Sequence, residues 1–401
     1  MATIKGTAKK EKLVGTNAAD FIYGLGGNDV LSGGKGNDTI RGGTGNDVIT
    51  GGAGNDKLSG EAGSDKLLGE AGNDTISGGT GNDIILGGDG DDRLNGNDGN
   101  DILLGGLGDD VFNGGAGVDT VDYSGAGAAP PPFFFRVIDL TNGFTSTDGD
   151  TYFSIENIIG SASSDDMTGT SSSNVLSGNA GDDLISGKAG ADVLNGGDGD
   201  DSLVPGDDTD IDLVNGGDGY DQVNYAIAST GVTVNLETNT VGGAAANDVL
   251  SSIERVWGSQ NDDVLTVFHG GTAMGASGSD MVSGSTFAAQ TTEILFGGLG
   301  ADTFVLHLNT GYDIFADFSF AENDMFRISN AEFGTNDVAN LKNAFGQVFA
   351  DVAAPQFIYD TVTRVLYFDQ DGTGLSKGPV AIASLPNLTG SLTTNIFEFV
   401  P

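Results

Sequence analysis

The chain has 401 residues, 57 of them acidic and 16 basic, a formal charge of −41 and no cysteine. That balance excludes nucleic acid and anionic membranes as partners, and the missing cysteines exclude disulfides and thiolate metal sites. At 38% apolar residues the chain is too hydrophobic for a disordered acidic protein, so something must neutralise the acid in a folded state, and a divalent cation is the simplest candidate.

The N-terminal stretch MATIKGTAKKEKLVG has lysines but no apolar run behind them. It does not read as a Sec-type signal peptide. No stretch approaches the ~20 apolar residues of a membrane span. Residues 1–23 keep a nine-residue period, with Leu13 and Ile22 at its apolar place, but lack paired glycines. They read as a cap on a solenoid, whose open ends must be closed.

From Gly24 to Asp122 the period runs without a gap for eleven units, as in GGTGNDVITGGAGNDKLS (Gly42–Ser59). Positions 1 and 4 are always glycine. Position 6 is always aspartate: Asp29, Asp38, Asp47, Asp56, Asp65, Asp74, Asp83, Asp92, Asp101, Asp110 and Asp119. Position 8 is always large and apolar: Leu31, Ile40, Ile49, Leu58, Leu67, Ile76, Ile85, Leu94, Leu103, Phe112 and Val121. So many glycines cost backbone entropy but permit positive φ and close backbone approach. Flexible turns can aim carbonyl oxygens at calcium, which prefers oxygen ligands. Aspartates stacked at the ~4.8 Å strand spacing repel by ~1 kcal/mol in water and by several at a surface-like dielectric. Without a cation such columns should come apart.

The pattern resembles the RTX (hemolysin-type) nonapeptide GGxGxDxUx. The resemblance implies a parallel β-roll in which positions 1–6 form a turn and positions 7–9 a short strand, position 8 pointing inward. Units eighteen residues apart then stack, one column holding Asp29, Asp47, Asp65, Asp83, Asp101 and Asp119, the other Asp38, Asp56, Asp74, Asp92 and Asp110. It further implies calcium between stacked turns, about nine ions in this block. The ligands would be these carboxylates and backbone carbonyls of turn glycines such as Gly33, Gly34, Gly36, Gly42, Gly43, Gly45, Gly51, Gly52, Gly54, Gly78, Gly79, Gly81, Gly87, Gly88 and Gly90. Leu25, Glu61, Glu70 and Asn97 stand where position 2 expects glycine, so the turn geometry there is in question.

Positions 7 and 9 should point outward. One face then carries Ile84, Leu86, Ile102 and Leu104, the other mostly polar residues. An apolar patch of that kind seldom stays exposed. Either the following insert or the C-terminal domain folds over it, or it self-associates.

The insert 123–159 contains PPPFFF (Pro130–Phe135), read as a strand entering the core, and SIENIIGS. A second repeat block, 160–225, places Asp183, Asp192, Asp201 and Asp221 at ligand positions. Asp165 and Asn174 sit in units without the turn glycines. After a second β insert, 226–257, which includes LSSIERVWGS, a degraded block, 258–305, holds Asp263, Asp280 and Asp302. A few more calcium ions are expected in these two blocks, with Asp280 and Asp302 as ligands in the last.

Residues 306–401 read as a small β-rich domain with one helix. The stretch from Phe287 carries 14 of the 22 phenylalanines. Asn336–Asp351 has helical spacing through Val338, Leu341, Phe345 and Phe349, and QFIYDTVTRVLYFDQDG reads as a hairpin. The end of the chain resembles the C-terminal region of type I secretion substrates, which implies an uncleaved export signal and the type I machinery as a partner.

No HExxH, GxSxG or P-loop motif occurs. The two histidines, His269 and His307, are far apart and read as ordinary strand residues. The sequence therefore reads as a secreted, non-enzymatic calcium-binding protein with a structural, surface, matrix or adhesion role. Self or cell-surface components are the further candidate partners. The alternative is a secreted enzyme or effector whose active site lies in the inserts or the C-terminal domain.

Overall fold

The computed structural model describes residues 1–126, 136–141, 149–243, 248–284, 292–307, 313–329, 342–344, 356–369, 380–388 and 397–400. Among them there is no helix, and hence none long and apolar enough to cross a membrane. The fold is an all-β parallel solenoid, a β-roll, in two compact units, Met1–Asp201 and Ser202–Pro401.

In the first unit each strand from Thr3–Lys5 to Ile102–Leu107 pairs in parallel with the strand eighteen residues on. Leu31 faces Ile49, and Ile85 faces Leu103. Alternate strands build opposite walls, one running from Thr3–Lys5 through Thr39–Thr44 to Thr151–Phe153, the other from Lys12–Val14 through Val48–Ala53 to Val193–Asp198. All eleven position-8 side chains are buried between the walls, and burying each contributes about 1.5–3 kcal/mol.

The strands are six residues long, not three. Val48–Ala53 covers positions 7–9 and then 1–3 of the next unit. The expected six-residue turn thus shrinks to positions 4–6. The ladder skips position 1 and resumes at positions 2 and 3, where Gly34 faces Gly52 and Lys35 faces Ala53. Positive φ at position 2, 103° at Gly34, turns the backbone back into register. Leu25, Glu61, Glu70 and Asn97 adopt the same left-handed conformation at φ 74–78°. The turn geometry therefore holds without glycine, at the cost such a φ imposes on a residue with a side chain.

Residues after Asp122 line a cavity of about 560 Å³ against the apolar face. Leu86 and Leu104 form one side of it, and Tyr123, Ala126, Arg136 and Asp150 contribute to the other. Leu86, Ile102 and Leu104 are half-buried, and only Ile84 is largely open, at 41% exposure. The Pro130–Phe135 stretch lies outside the described residues.

The second unit keeps parallel pairing from Gln222–Asn224 to Asp313–Phe315 and from Val264–Thr266 to Phe397–Val400. The expected hairpin forms: Gln356–Asp360 pairs antiparallel with Val365–Asp369. Phenylalanines fill this core, with Phe318 stacked on Phe326 at 4.5 Å and Phe304 against Phe315 at 5.1 Å. The expected helix is overturned where it can be seen. Lys342–Ala344 is a strand, parallel to Gln356–Asp360, because a sheet edge offers its backbone partners there. The rest of 336–351 lies outside the described residues. Neither histidine is in a strand. His269 occupies a turn with φ 56° beside Phe268, and His307 lies just past Thr303–Leu306, its Nε2 3.0 Å from Ser283 Oγ.

Candidate metal centre

In the repeat turns the position-6 carboxylate is buried and split in function. Its Oδ1 accepts from the backbone N–H of the position-6 residue eighteen residues earlier. Asp38 N donates to Asp56 Oδ1, Asp65 N to Asp83 Oδ1 and Asp83 N to Asp101 Oδ1, each at 2.7 Å. Its Oδ2 is buried with no hydrogen-bond donor in all eleven units from Asp29 to Asp119, and also at Asp183, Asp280 and Asp302. A buried acceptor left unsatisfied costs about 1–3 kcal/mol, more when charged.

What faces that oxygen is backbone. A Cβ built on the position-1 glycine would meet both the aspartate Oδ2 of its own turn and the position-1 carbonyl oxygen of the next coil, each within about 3.0 Å. This holds at the nine aspartates from Asp29 to Asp101: Gly33 would meet Asp38 and Gly51, Gly60 would meet Asp65 and Gly78. The same cradle recurs at Asp183 with Gly196 and at Asp280 with Gly297. Among the described residues no three His, Cys, Asp or Glu side chains converge as a metal group. The donor set is one or two carboxylates with carbonyls, which suits a hard cation that takes many oxygens. The orphaned Oδ2 atoms and the carbonyl-lined cradles fit calcium.

Burial pushes these carboxyls up from their ordinary 3.8. Asp47, Asp74, Asp92 and Asp119 reach about 6, and Asp56, Asp83 and Asp110 about 7. The bond from the preceding aspartate's N–H opposes the rise, and neighbouring carboxylates add to it. Asp183 and Asp280, also raised by burial, reach about 8.

A second kind of turn interrupts the columns. Where position 2 is Ser or Thr, its N–H and hydroxyl take the position-6 side chain. Ser161 N and Oγ donate to Asp165 Oδ2 at 2.6 and 3.0 Å. Thr16 N and Oγ1 donate to Asp20 Oδ2 at 2.7 and 2.8 Å. The pairs Thr7–Glu11, Thr170–Asn174 and Ser259–Asp263 repeat the arrangement. None of these turns has a positive φ at position 2 or 4. The signal is in the sequence, Gly-Ser or Gly-Thr at positions 1–2 with an acid or amide at position 6, but glycine and aspartate spacing alone does not separate these turns from the others. Asp192, Asp201 and Asp221 are buried at their turns as well.

Comparison with curated proteins returns no match. Among solved structures, the extracellular lipase LipA from Serratia marcescens aligns over 76% of this chain and 67% of its own at 11% identity. The TM-score of that alignment is 0.17. The family model of the RTX calcium-binding nonapeptide repeat, which spans four copies, matches residues 6–40, 32–67, 59–94, 68–103, 86–121, 159–194 and 177–212. Residues 6–121 and 159–212 thus carry the RTX calcium-binding nonapeptide repeat.

Proposed function

We propose that this is a secreted, non-catalytic protein that folds on calcium outside the cell and serves a structural, surface, matrix or adhesion role. RTX nonapeptide repeats bind calcium, and proteins of the family are type I secretion substrates. The observation that carries the reading is the row of buried aspartate Oδ2 atoms without a donor. Calcium would sit in the nine cradles from Asp29 to Asp101, and in those at Asp183 and Asp280. Asp192, Asp201, Asp221 and Asp302 are the remaining candidate ligands. The ion supplies positive charge and coordination to oxygens that nothing else satisfies. Affinity belongs with extracellular modules, about 10⁻⁴–10⁻³ M, so the chain stays unfolded during export and folds outside.

Calorimetric counting of bound calcium tests the assignment. Asp83→Ala, in an open cradle between Asp65 and Asp101, is expected to lose ions. Asp165→Ala, whose carboxylate is already held by Ser161, is expected to keep the wild-type count. Equal losses would contradict it.

A further inference from the structure

The two inserts share three residues, Ser-Ile-Glu, at Ser154–Glu156 and at Ser252–Glu254. Each follows a glycine-rich turn, Gly114–Asp119 in the first unit and Gly216–Asp221 in the second. In each case the next coil lacks a GGxGxD turn, and these three residues replace it. The serines are left-handed, at φ 48° and 50°, and the isoleucines are buried. The strands that follow, Asn157–Ile159 and Arg255–Trp257, pair in parallel with Thr120–Asp122 and Gln222–Asn224, as a repeat strand would.

The short turn reproduces the contacts of the one it replaces. Asp119 N donates to Glu156 Oε2 at 2.8 Å, the bond that Asp101 N makes to Asp119 Oδ1 one coil earlier, also at 2.8 Å. Asp221 N donates to Glu254 Oε2 at 2.9 Å. A Cβ built on Gly114 would meet Asp119 Oδ2 and the Ser154 carbonyl oxygen. One built on Gly216 would meet Asp221 Oδ2 and the Ser252 carbonyl oxygen. These are the two oxygens that frame every repeat cradle. Asp119 is fully buried, and its Oδ2 has no donor.

The other edge of the first roll ends differently. A Cβ on Gly105 would meet the Phe112 ring where the repeats present a carbonyl. The carboxylate that accepts from Asp110 N there, Asp150, is held by the Tyr123 hydroxyl at 2.5 Å. One column is closed by a tyrosine; the other is continued by a carbonyl and a carboxylate.

We infer that each Ser-Ile-Glu turn completes a further calcium site on the last glycine-rich turn beneath it. The first is built from Asp119, the Ser154 carbonyl and Glu156, the second from Asp221, the Ser252 carbonyl and Glu254. Left-handed serine turns its carbonyl toward the cradle, and glutamate, one methylene longer than aspartate, reaches the same N–H from a shorter turn. The inference rests on the calcium reading of the repeats and adds two sites that the nonapeptide pattern does not contain.

The test uses the full-length chain and calcium alone. Glu156→Gln and Glu254→Gln keep an oxygen for the aspartate N–H and remove the charge. Each is expected to bind one ion fewer than wild type, and the double variant two fewer, with an unchanged circular dichroism spectrum in saturating calcium. A wild-type count in both single variants overturns the inference. Should E156Q be unfolded at the calcium level that folds the wild type, a tenfold or greater rise in calcium is expected to restore its spectrum. A spectrum that no calcium level restores means a structural role and overturns the site. Failure of the underlying reading looks different: the wild type itself takes up no calcium, or Asp83→Ala keeps the full count.

Discussion

Ser161 and Gly79 hold the same place in their turns, and the difference shows four residues on. Asp165 is held by the N–H and hydroxyl of Ser161. Asp83 follows a left-handed glycine at φ 127°, and its Oδ2 has no donor. The first turn supplies donors to its Oδ2 from within the chain; the second leaves the same oxygen needing something from outside. Ser161→Ala is therefore expected to cost about 1–3 kcal/mol, the range for losing a hydrogen bond to a charged buried group. The loss should persist in saturating calcium, because no cation replaces that hydroxyl. Urea denaturation of both proteins in excess calcium checks this, and equal stability would mean that the hydroxyl contributes nothing.

At the scale of the element, the aspartate columns link stability to pH. In the cation-free roll the carboxyls at Asp47, Asp56, Asp74, Asp83, Asp92, Asp110 and Asp119 are raised to about 6 or 7, first by burial. In the unfolded chain they titrate near 3.8. Between those values the folded form binds more protons than the unfolded, so stability falls as pH rises. The contribution is fully present below about 4 and lost as pH passes through 6 to 7. Acid should thus stand in for calcium: in excess chelator, β-sheet circular dichroism should grow as pH falls from 7 to 4. A signal that is flat or shrinks over that window would contradict the burial of unpaired carboxyls.

The outer face of the same element has its own test. Leu86 and Leu104 line a cavity together with Tyr123 and Arg136 from beyond the repeat. That supports internal cover rather than self-association. Leu86→Lys with Leu104→Lys should lower the denaturation midpoint in calcium and leave the light-scattering mass unchanged. A fall in mass would assign the face to another copy of the chain.

Over the whole molecule, the legible features were those that repeat. Position 8 follows the core because an inward side chain recurs once per strand, from Leu31 to Val121. The aspartate columns follow from the eighteen-residue stacking. The illegible features depend on hydrogen bonds that no period announces. Thr16, Thr170 and Ser259 stand where the repeat has glycine, yet each closes its own turn. Strand length was underestimated because positive φ at position 2 returns the backbone to the ladder. Lys342–Ala344 reads as helix from side-chain spacing, but its backbone pairs with the strand Gln356–Asp360. Spacing describes one segment alone, whereas a sheet edge is supplied by another.

The roll is expected to be conditional on calcium, because its repeat turns bury acceptors that the chain leaves without donors and its charge of −41 opposes compaction. Ordering one coil also prepares the next, so uptake should be cooperative. Far-ultraviolet circular dichroism through a calcium titration of the full-length chain at pH 7, begun in excess chelator, measures this directly. A largely unfolded spectrum is expected at the start, with a steep, cooperative gain of β-sheet signal as free calcium passes through about 10⁻⁴–10⁻³ M. A full β-sheet spectrum in excess chelator, unchanged by added calcium, would contradict it.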